Sequence, residues 1–255
     1  MGLKLFKFFF YFLLISLIIF FFTRNINLFG NHFYKNIKKV KNPDSIDVLV
    51  NKNHQLDKNY IPNDLVKLSL ICANEDKFLR QEAALNFEEM CLEARKQGYK
   101  IIAVSSYRSY FYQEELYNYY VRTLGEKKAL EASAKPGHSE HQTGLVIDIE
   151  GSIGKYSDFE TTEEFIWMKE NAYKYGFILR YPKNKKNITG FKYEPWHYRY
   201  VGKDVAKIIH ENNICIYMET MDAIREEINN AYHFSEVSDN QQLMFSKSTD
   251  NDKWK

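Results

Sequence analysis

The sequence predicts an α+β domain, because helical and strand patterns follow one another without the regular alternation that builds a parallel sheet. The chain has 255 residues, of which 45% are hydrophobic and 16% are aromatic. This length suits one domain with short appendages, and the apolar content is ample for a core that needs no disulfide framework. The three cysteines, Cys72, Cys91 and Cys215, can form at most one bridge.

Each predicted element rests on apolar spacing and on the turn residues beside it. The chain shows, in order, a strand at 47–52, a helix at 75–98, a strand at 99–105, a helix at 110–124, a strand at 145–149 and helices at 162–175 and 201–211. The helix at 75–98 has apolar residues at steps of three to five and ends at Gly98. The β-branched residues at 145–149 favour a strand.

The amino-terminal region contains an apolar run from Phe8 to Phe22, preceded by Lys4 and Lys7. Because no small-residue cleavage site follows it, an uncleaved membrane anchor is favoured over a cleaved signal peptide, which stays the alternative. The run is short for a span of about 20 residues, but the lysines can snorkel and extend it. We therefore expect a cytoplasmic stub at 1–7, a transmembrane signal anchor at 8–23 and a single-pass membrane protein whose domain is extracytoplasmic.

Charge is distributed unevenly along the chain. The formal net charge of +2 argues against a dedicated nucleic-acid-binding protein. Five basic residues and no acidic residue lie between Arg24 and Lys41, which predicts a basic juxtamembrane linker at 24–44 that can rest on anionic lipid or polymer. The folded domain is expected at 45–218, followed at 219–255 by an acidic, solvated tail.

A histidine and an aspartate lie near the predicted strand at 145–149. His141 precedes the strand in a loop, Gly144 lets the backbone turn into it, and Asp148 lies on it between two isoleucines. A carboxylate in such apolar surroundings is costly to bury unless it is paired or bound to a metal. The alternative is an aspartate that caps the strand end beside an exposed histidine.

A second segment, Glu194-Pro195-Trp196-His197, carries another acid and another histidine. Pro195 biases Glu194 toward extended backbone, so the segment is short and stiff rather than part of a long helix. The neighbouring aromatic residues can exclude water and fix side-chain rotamers. Taken alone, the segment is more typical of an aromatic core with a buried, hydrogen-bonded histidine.

Together, the two segments offer His141, Asp148 and His197 as metal ligands and leave Glu194 free. Three protein ligands with an open fourth position are typical of catalytic zinc, and a free glutamate beside them can act as a general base. A structural zinc site more often has four closed ligands, frequently cysteines, and the cysteines of this chain are scattered.

This pattern resembles the zinc D-alanyl-D-alanine carboxypeptidases of the VanY type. The likeness rests on Ser139-x-His141-x-x-Gly144-x-Val146-x-Asp148 and Glu194-x-x-His197, and it continues through 49–52, 60–65, 107–109 and 196–202. Val146 stands where the family has alanine. The likeness covers roughly residues 45–218 and implies a small antiparallel sheet flanked by helices, as in Hedgehog-type zinc peptidases.

The resemblance also implies roles for individual residues. The three ligands would bind one zinc ion, and Glu194 would be the catalytic base. Arg108, Gln113 and Ser139 would hold the terminal D-alanine carboxylate or polarise the scissile carbonyl, so Arg108 has both a binding and a catalytic role. The planar donor fork of an arginine suits a carboxylate. His138 is expected to support the site or to be solvated.

The implied substrates are peptidoglycan stem peptides, and we expect a monomer. Tyr181 and Trp196 are candidate walls of the pocket. One alternative function is a peptidoglycan endopeptidase on the same fold, and another is a non-catalytic cell-wall-binding module with a vestigial site. The sequence leaves open whether the enzyme cleaves a pentapeptide stem (D,D cleavage) or a tetrapeptide stem (L,D cleavage).

Overall fold

The computed structural model describes residues 33–153 and 155–212. The predicted stub at 1–7, anchor at 8–23 and acidic tail at 219–255 therefore lie outside the described residues. Within the described ranges, no helix is both long enough and apolar enough to cross a membrane.

A four-stranded antiparallel sheet organises the domain. The described strands are β1 Lys38–Lys39, β2 His54–Gln55, β3 Leu65–Lys67, β4 Phe78–Arg80, β5 Ile102–Ser105, β6 Val146–Glu150, β7 Phe177–Leu179 and β8 His197–Tyr200. The central sheet has the order β5–β6–β8–β7. A parallel pair, β1–β2, and an antiparallel pair, β3–β4, form two small sheets beside it. The predicted α+β class with a small antiparallel sheet is confirmed.

Helices of modest length surround this sheet. They are α1 Gln81–Lys96, α2 Tyr110–Leu124, α3 Glu126–Ala132, α4 Glu163–Asn171, α5 Lys186–Thr189 and α6 Lys203–Glu211, with 3-10 helices at Glu140–Thr143, Tyr156–Thr161 and Ala172–Tyr175. Two of them have side-chain caps. Ser109 accepts a hydrogen bond from a backbone N–H in the first turn of α2, and Thr162 does the same for α4.

Residue alternation along β6 and β8 gives the central sheet a core face and a site face. The core face joins the same hydrophobic cluster as α1 through Ile147, Ile149, Tyr198 and Tyr200. Because successive strand residues point to opposite faces, Asp148, His197 and Arg199 lie together on the other face. The strand pattern therefore places buried polar groups on one side of a well-packed sheet.

The prediction of a strand at 47–52 is wrong. This segment makes only an isolated bridge between Asn51 and His54. The Asn51 side-chain oxygen accepts hydrogen bonds from the backbone N–H groups of Asn53 and His54. Such a side chain offers the backbone a local turn that competes with strand pairing.

Several predicted limits shift by a few residues. The helix expected at 75–98 begins at Gln81, because Phe78–Arg80 pairs as β4 with β3. The helix expected at 201–211 begins at Lys203, because Gly202 has a φ of 84°. The helix at 110–124 has the predicted limits.

The limits of three other predicted elements also differ from those in the structure. The strand expected at 99–105 covers only Ile102–Ser105, and the strand expected at 145–149 runs from Val146 to Glu150. The helix expected at 162–175 divides into α4 and the 3-10 helix that follows it.

One disulfide, Cys72–Cys91, joins the segment before β4 to α1. Both cysteines are buried among the core residues. The sequence allowed one bridge without naming its partners, and Cys215 lies outside the described residues. The bridge closes a loop with a sequence separation of 19 residues, so it stabilises the fold by restricting the unfolded chain.

Reduction of the Cys72–Cys91 bridge should lower the free energy of unfolding by about 3 kcal/mol, the value for closing a loop of this size. Urea unfolding followed by circular dichroism, with and without reductant, measures the difference. A Cys215→Ser variant, which keeps the bridge, is the matched control for loss of a thiol. Equal unfolding midpoints for the oxidised and reduced protein would contradict the stabilising role.

Candidate active site

Two strands and one short helix bring the predicted ligands together. Asp148 on β6 is the register partner of His197 on β8. His141 lies in the 3-10 helix Glu140–Thr143, just before β6. That helix ends at Gly144, which has a φ of 66°, and a Cβ there would lie 2.9 Å from Leu65 Cδ2. Glycine thus allows the sharp turn that leads from one ligand to the next.

The three predicted ligands converge on one point. Asp148 Oδ2 lies 3.3 Å from His141 Nε2, and Asp148 Oδ1 lies 3.0 Å from His197 Nδ1. One potential ligand atom from each residue lies within 4.8 Å of the other two. The structure therefore brings together the whole ligand set that the sequence suggested.

The donor chemistry of this cluster fits a divalent metal ion. His141 Nδ1 lies 2.6 Å from the Ser106 carbonyl oxygen, which can only accept, so Nδ1 carries a proton and, in the neutral imidazole, Nε2 is the nitrogen with a lone pair. That lone pair faces the Asp148 carboxylate, an arrangement that a cation between them stabilises. Two imidazole nitrogens and one carboxylate suit zinc and similar first-row metals.

The electrostatics of the cluster keep a negative charge at its centre. Burial would raise the pKa of Asp148, but its contacts with His141 and His197 hold that pKa well below its usual range. Burial lowers the pKa of His141 to about 4. For His197, burial would lower the pKa, but its interactions with Asp148 and Glu140 outweigh burial and raise it to about 9.

Glu194 directs its carboxylate at the same point. Its Oε2 lies 3.5 Å from His197 Nδ1, the nitrogen that also faces Asp148. The turn is fixed because the Glu194 N–H donates to the Tyr181 carbonyl at 3.1 Å and the His197 N–H donates to the Glu194 carbonyl at 3.2 Å. Burial raises the pKa of Glu194 to about 7, which suits a group that exchanges protons near neutral pH.

The cluster lies in a cavity of about 310 Å³. Its lining includes a stripe of α2, the segment around 132–134, the two motif segments and an aromatic wall. The α2 stripe consists of Tyr112, Leu116 and Tyr120, and the aromatic wall consists of Tyr181, Phe191 and Trp196. The prediction that Tyr181 and Trp196 wall the pocket is confirmed by this lining.

Two of the three predicted substrate-binding residues line the cavity. Arg108 lies there with its Nη1 donating to Ser105 Oγ at 3.2 Å, and Ser139 is buried in the same lining. Gln113 is not part of the lining. Its amide nitrogen donates to Ser133 Oγ at 2.9 Å and to the Ala134 carbonyl at 2.8 Å, which supports two residues that do line the cavity.

His138 is buried rather than solvated. Its Nδ1 lies 2.8 Å from the Asn51 carbonyl oxygen, and its ring packs edge-on against Tyr34 with centroids 5.0 Å apart. The residue therefore ties the motif loop to the turn at Asn51 and is not one of the clustered ligands.

Sequence reasoning missed a buried group of charges beside the cluster. Glu140, Arg180 and Arg199 are buried together on the site face of the central sheet. A signal was present for Arg199, because it lies two residues after His197 and strand alternation places both on one face. Arg180 lies just beyond β7, and no sequence pattern connected it with Glu140.

Comparison with known proteins assigns the family. The model of the D-alanyl-D-alanine carboxypeptidase VanY matches residues 76–203, which include every predicted site residue. The chain belongs to the VanY family. It is 45% identical over 197 residues to the Bacillus subtilis protein YodJ, covering 72% of each chain.

Solved structures agree with membership of the VanY family. The LdcB LD-carboxypeptidase is 42% identical, with a TM-score of 0.68 over 73% of this chain and 91% of that chain. The VanY D,D-pentapeptidase from a VanB-type resistance cassette, in complex with Zn(II), is 32% identical, with a TM-score of 0.59 over 68% of this chain and 98% of that chain. This VanY-family protein is thus a carboxypeptidase of peptidoglycan-related function.

We expect this VanY-family domain to bind one divalent metal ion per chain, and Asp148→Asn to abolish that binding because it removes the central carboxylate charge. Differential scanning fluorimetry of chelator-stripped protein measures the metal-induced rise in Tm. At a metal concentration of 100 Kd the stabilisation is about 2.7 kcal/mol. Asp204→Asn, at an exposed position of α6, is the control and should keep the full rise. A full rise in Asp148→Asn would refute the ligand set.

Proposed function

We propose that the protein is a zinc-dependent carboxypeptidase that removes the C-terminal D-alanine from peptidoglycan stem peptides. The observation that carries this proposal is the convergence of His141, Asp148 and His197 beside the Glu194 carboxylate in one cavity. Zinc is supported by the donor set and by the Zn(II) complex of the related VanY structure. The substrate class is supported by the VanY family match.

Glu194 is the general base in this proposal. A zinc ion held by the three ligands would supply Lewis-acid activation of a water and of the scissile carbonyl. Glu194 reaches the same point as the ligands, so it can accept the proton of the attacking water. With its pKa raised to about 7 by burial, it can then pass the proton to the amine of the departing D-alanine.

Arg108 accounts for a preference for the chain end of a peptide. Its Nε is buried without a hydrogen-bond partner among the described residues, and the side chain lines the cavity. Guanidinium donors that face a cavity suit a free terminal carboxylate, which an internal peptide bond does not offer. This favours a carboxypeptidase over the alternative of a peptidoglycan endopeptidase.

The second candidate for the cleaved bond is an L,D bond in a tetrapeptide stem. The observation that favours it is the higher identity to the LdcB LD-carboxypeptidase, 42%, than to the VanY D,D-pentapeptidase, 32%. Incubation of the protein with tetrapeptide and pentapeptide stems, followed by mass spectrometry, distinguishes the two. Release of larger fragments would instead indicate an endopeptidase, and no release from either stem would favour a non-catalytic wall-binding module.

We also propose that residues 8–23 anchor the protein in the cell membrane and that the domain lies on the extracytoplasmic side. The apolar run and its flanking lysines support this proposal. The Cys72–Cys91 disulfide fits an oxidising compartment outside the cytoplasm. Alkaline carbonate extraction tests the anchor, since an anchored protein stays with the membrane pellet.

Glu194→Gln should reduce the kcat of D-alanine release by about 10²- to 10⁴-fold, the range for loss of a general base, while zinc content stays at the wild-type level. Product release by mass spectrometry and metal content by atomic absorption measure the two effects separately. Glu163→Gln, at an exposed position of α4, is the matched control. Wild-type kcat in Glu194→Gln would exclude the residue as the base.

Arg108→Lys should raise the KM for stem peptides by at least about tenfold, because an ammonium group cannot pair bidentately with a carboxylate. A stem whose C-terminal carboxylate is amidated should be a poor substrate for both forms, with little difference between them. Steady-state kinetics with the two peptides measures this, and Arg122→Lys, exposed on α2, is the control. Equal discrimination between the two peptides by wild type and variant would contradict carboxylate recognition by Arg108.

A further inference from the structure

A fully buried carboxylate lies on the site face next to the metal-ligand cluster. The Glu140 side chain has no solvent exposure, and its Oε1 accepts from Arg180 Nε at 2.9 Å and from Arg199 Nη1 at 3.3 Å. Two guanidinium groups therefore hold one oxygen of this buried carboxylate in place.

Arg199 anchors this carboxylate to the backbone. Its Nη2 donates to the carbonyls of Ile46 and Val48 at 2.9 Å each, and its Nε donates to the Tyr200 carbonyl at 3.0 Å. The guanidinium cannot move without breaking these hydrogen bonds. Since Arg199 also lies on β8, the strand that carries His197, the carboxylate has a fixed position relative to that histidine.

The second oxygen of Glu140 faces the back of a predicted metal ligand. Glu140 Oε2 lies 3.7 Å from His197 Nε2, and the Tyr181 hydroxyl approaches the same oxygen at 3.5 Å. His197 Nε2 is buried and has no hydrogen-bond partner in the described part of the chain. The opposite nitrogen of the ring, Nδ1, faces Asp148 at 3.0 Å. The His197 imidazole thus lies between the Glu140 carboxylate on one side and the Asp148 carboxylate on the other.

We propose that Glu140, held by Arg180 and Arg199, is a positioning residue that attracts the Nε2–H of His197 and so presents the Nδ1 lone pair to the metal. A ligating histidine usually donates its other N–H to a carboxylate or carbonyl, which fixes the ring and increases its basicity. His141 has such a partner in the Ser106 carbonyl. Glu140 supplies the corresponding partner for His197. This inference rests on the proposed zinc-dependent function.

A purely structural role makes a different prediction. Buried ion clusters often contribute little net stability, and breaking one destabilises the fold wherever it lies. Glu164 offers a comparison, because it is also buried and binds the Ser152 N–H and the Lys100 N–H rather than a metal ligand. If Glu140 only stabilised the fold, substitutions at the two glutamates would affect zinc binding equally little.

The test compares Glu140→Gln with Glu164→Gln. Zinc affinity is measured by competition with a chromophoric chelator, at a temperature where circular dichroism shows both variants folded. Glu140→Gln should weaken zinc binding by about 10- to 100-fold, as substitutions of partners behind metal ligands do, whereas Glu164→Gln should keep the wild-type affinity. Wild-type affinity in Glu140→Gln would overturn the inference, and so would an equal loss in both variants.

A measurement on the wild-type protein covers the case in which Glu140→Gln does not fold. In protein loaded with cadmium-113 and labelled with nitrogen-15 in histidine, the cadmium should couple to Nδ1 of His197. The Nε2–H of the same ring should be protected from exchange with water. Rapid exchange of that proton would overturn the positioning role while leaving the metal site intact. Failure of the wild-type protein to bind zinc or cadmium would instead refute the proposed function.

Discussion

The pairing of β6 with β8 in the register that sets Asp148 opposite His197 is the constraint on which the rest of the site depends. A shift of β6 by one residue would turn Asp148 away from His197 toward the hydrophobic core and bring an isoleucine to the site face. The register is held because Ile147, Ile149, Tyr198 and Tyr200 pack into the main core. Core packing therefore determines the geometry of the metal-ligand cluster.

Charge burial on the site face follows from the same arrangement. The face that carries Asp148 and His197 also carries Arg199, and the Glu140 carboxylate pairs with both Arg199 and Arg180. Each buried charge in this group has a partner of opposite sign, which limits the cost of removing it from water. The result is a rigid polar layer on which ligand nitrogens and the Glu194 carboxylate keep fixed directions.

Two short motifs taken together predicted the residues that the structure brings into one cluster, and short-range patterns predicted much of the fold. The two motifs contain His141, Asp148, Glu194 and His197, and a tyrosine-rich run that ends at Gly125 predicted the limits of the helix at 110–124. The prediction of a strand at 47–52 failed because the Asn51 side chain forms a local turn that competes with strand pairing. Composition does not reveal this turn. The position of Gln113 and the Glu140–Arg180 contact depend on long-range packing that no local pattern contains.

The most direct test of the central claim is the zinc coordination itself. X-ray absorption at the zinc edge of the loaded full-length protein should show two imidazole ligands at about 2.0–2.1 Å, with oxygen as the remaining scatterer. The His141→Ala variant should lose one imidazole contribution. A shell that contains sulfur, or one without imidazole scattering, would contradict the assignment of His141, Asp148 and His197 as the ligands of a catalytic zinc.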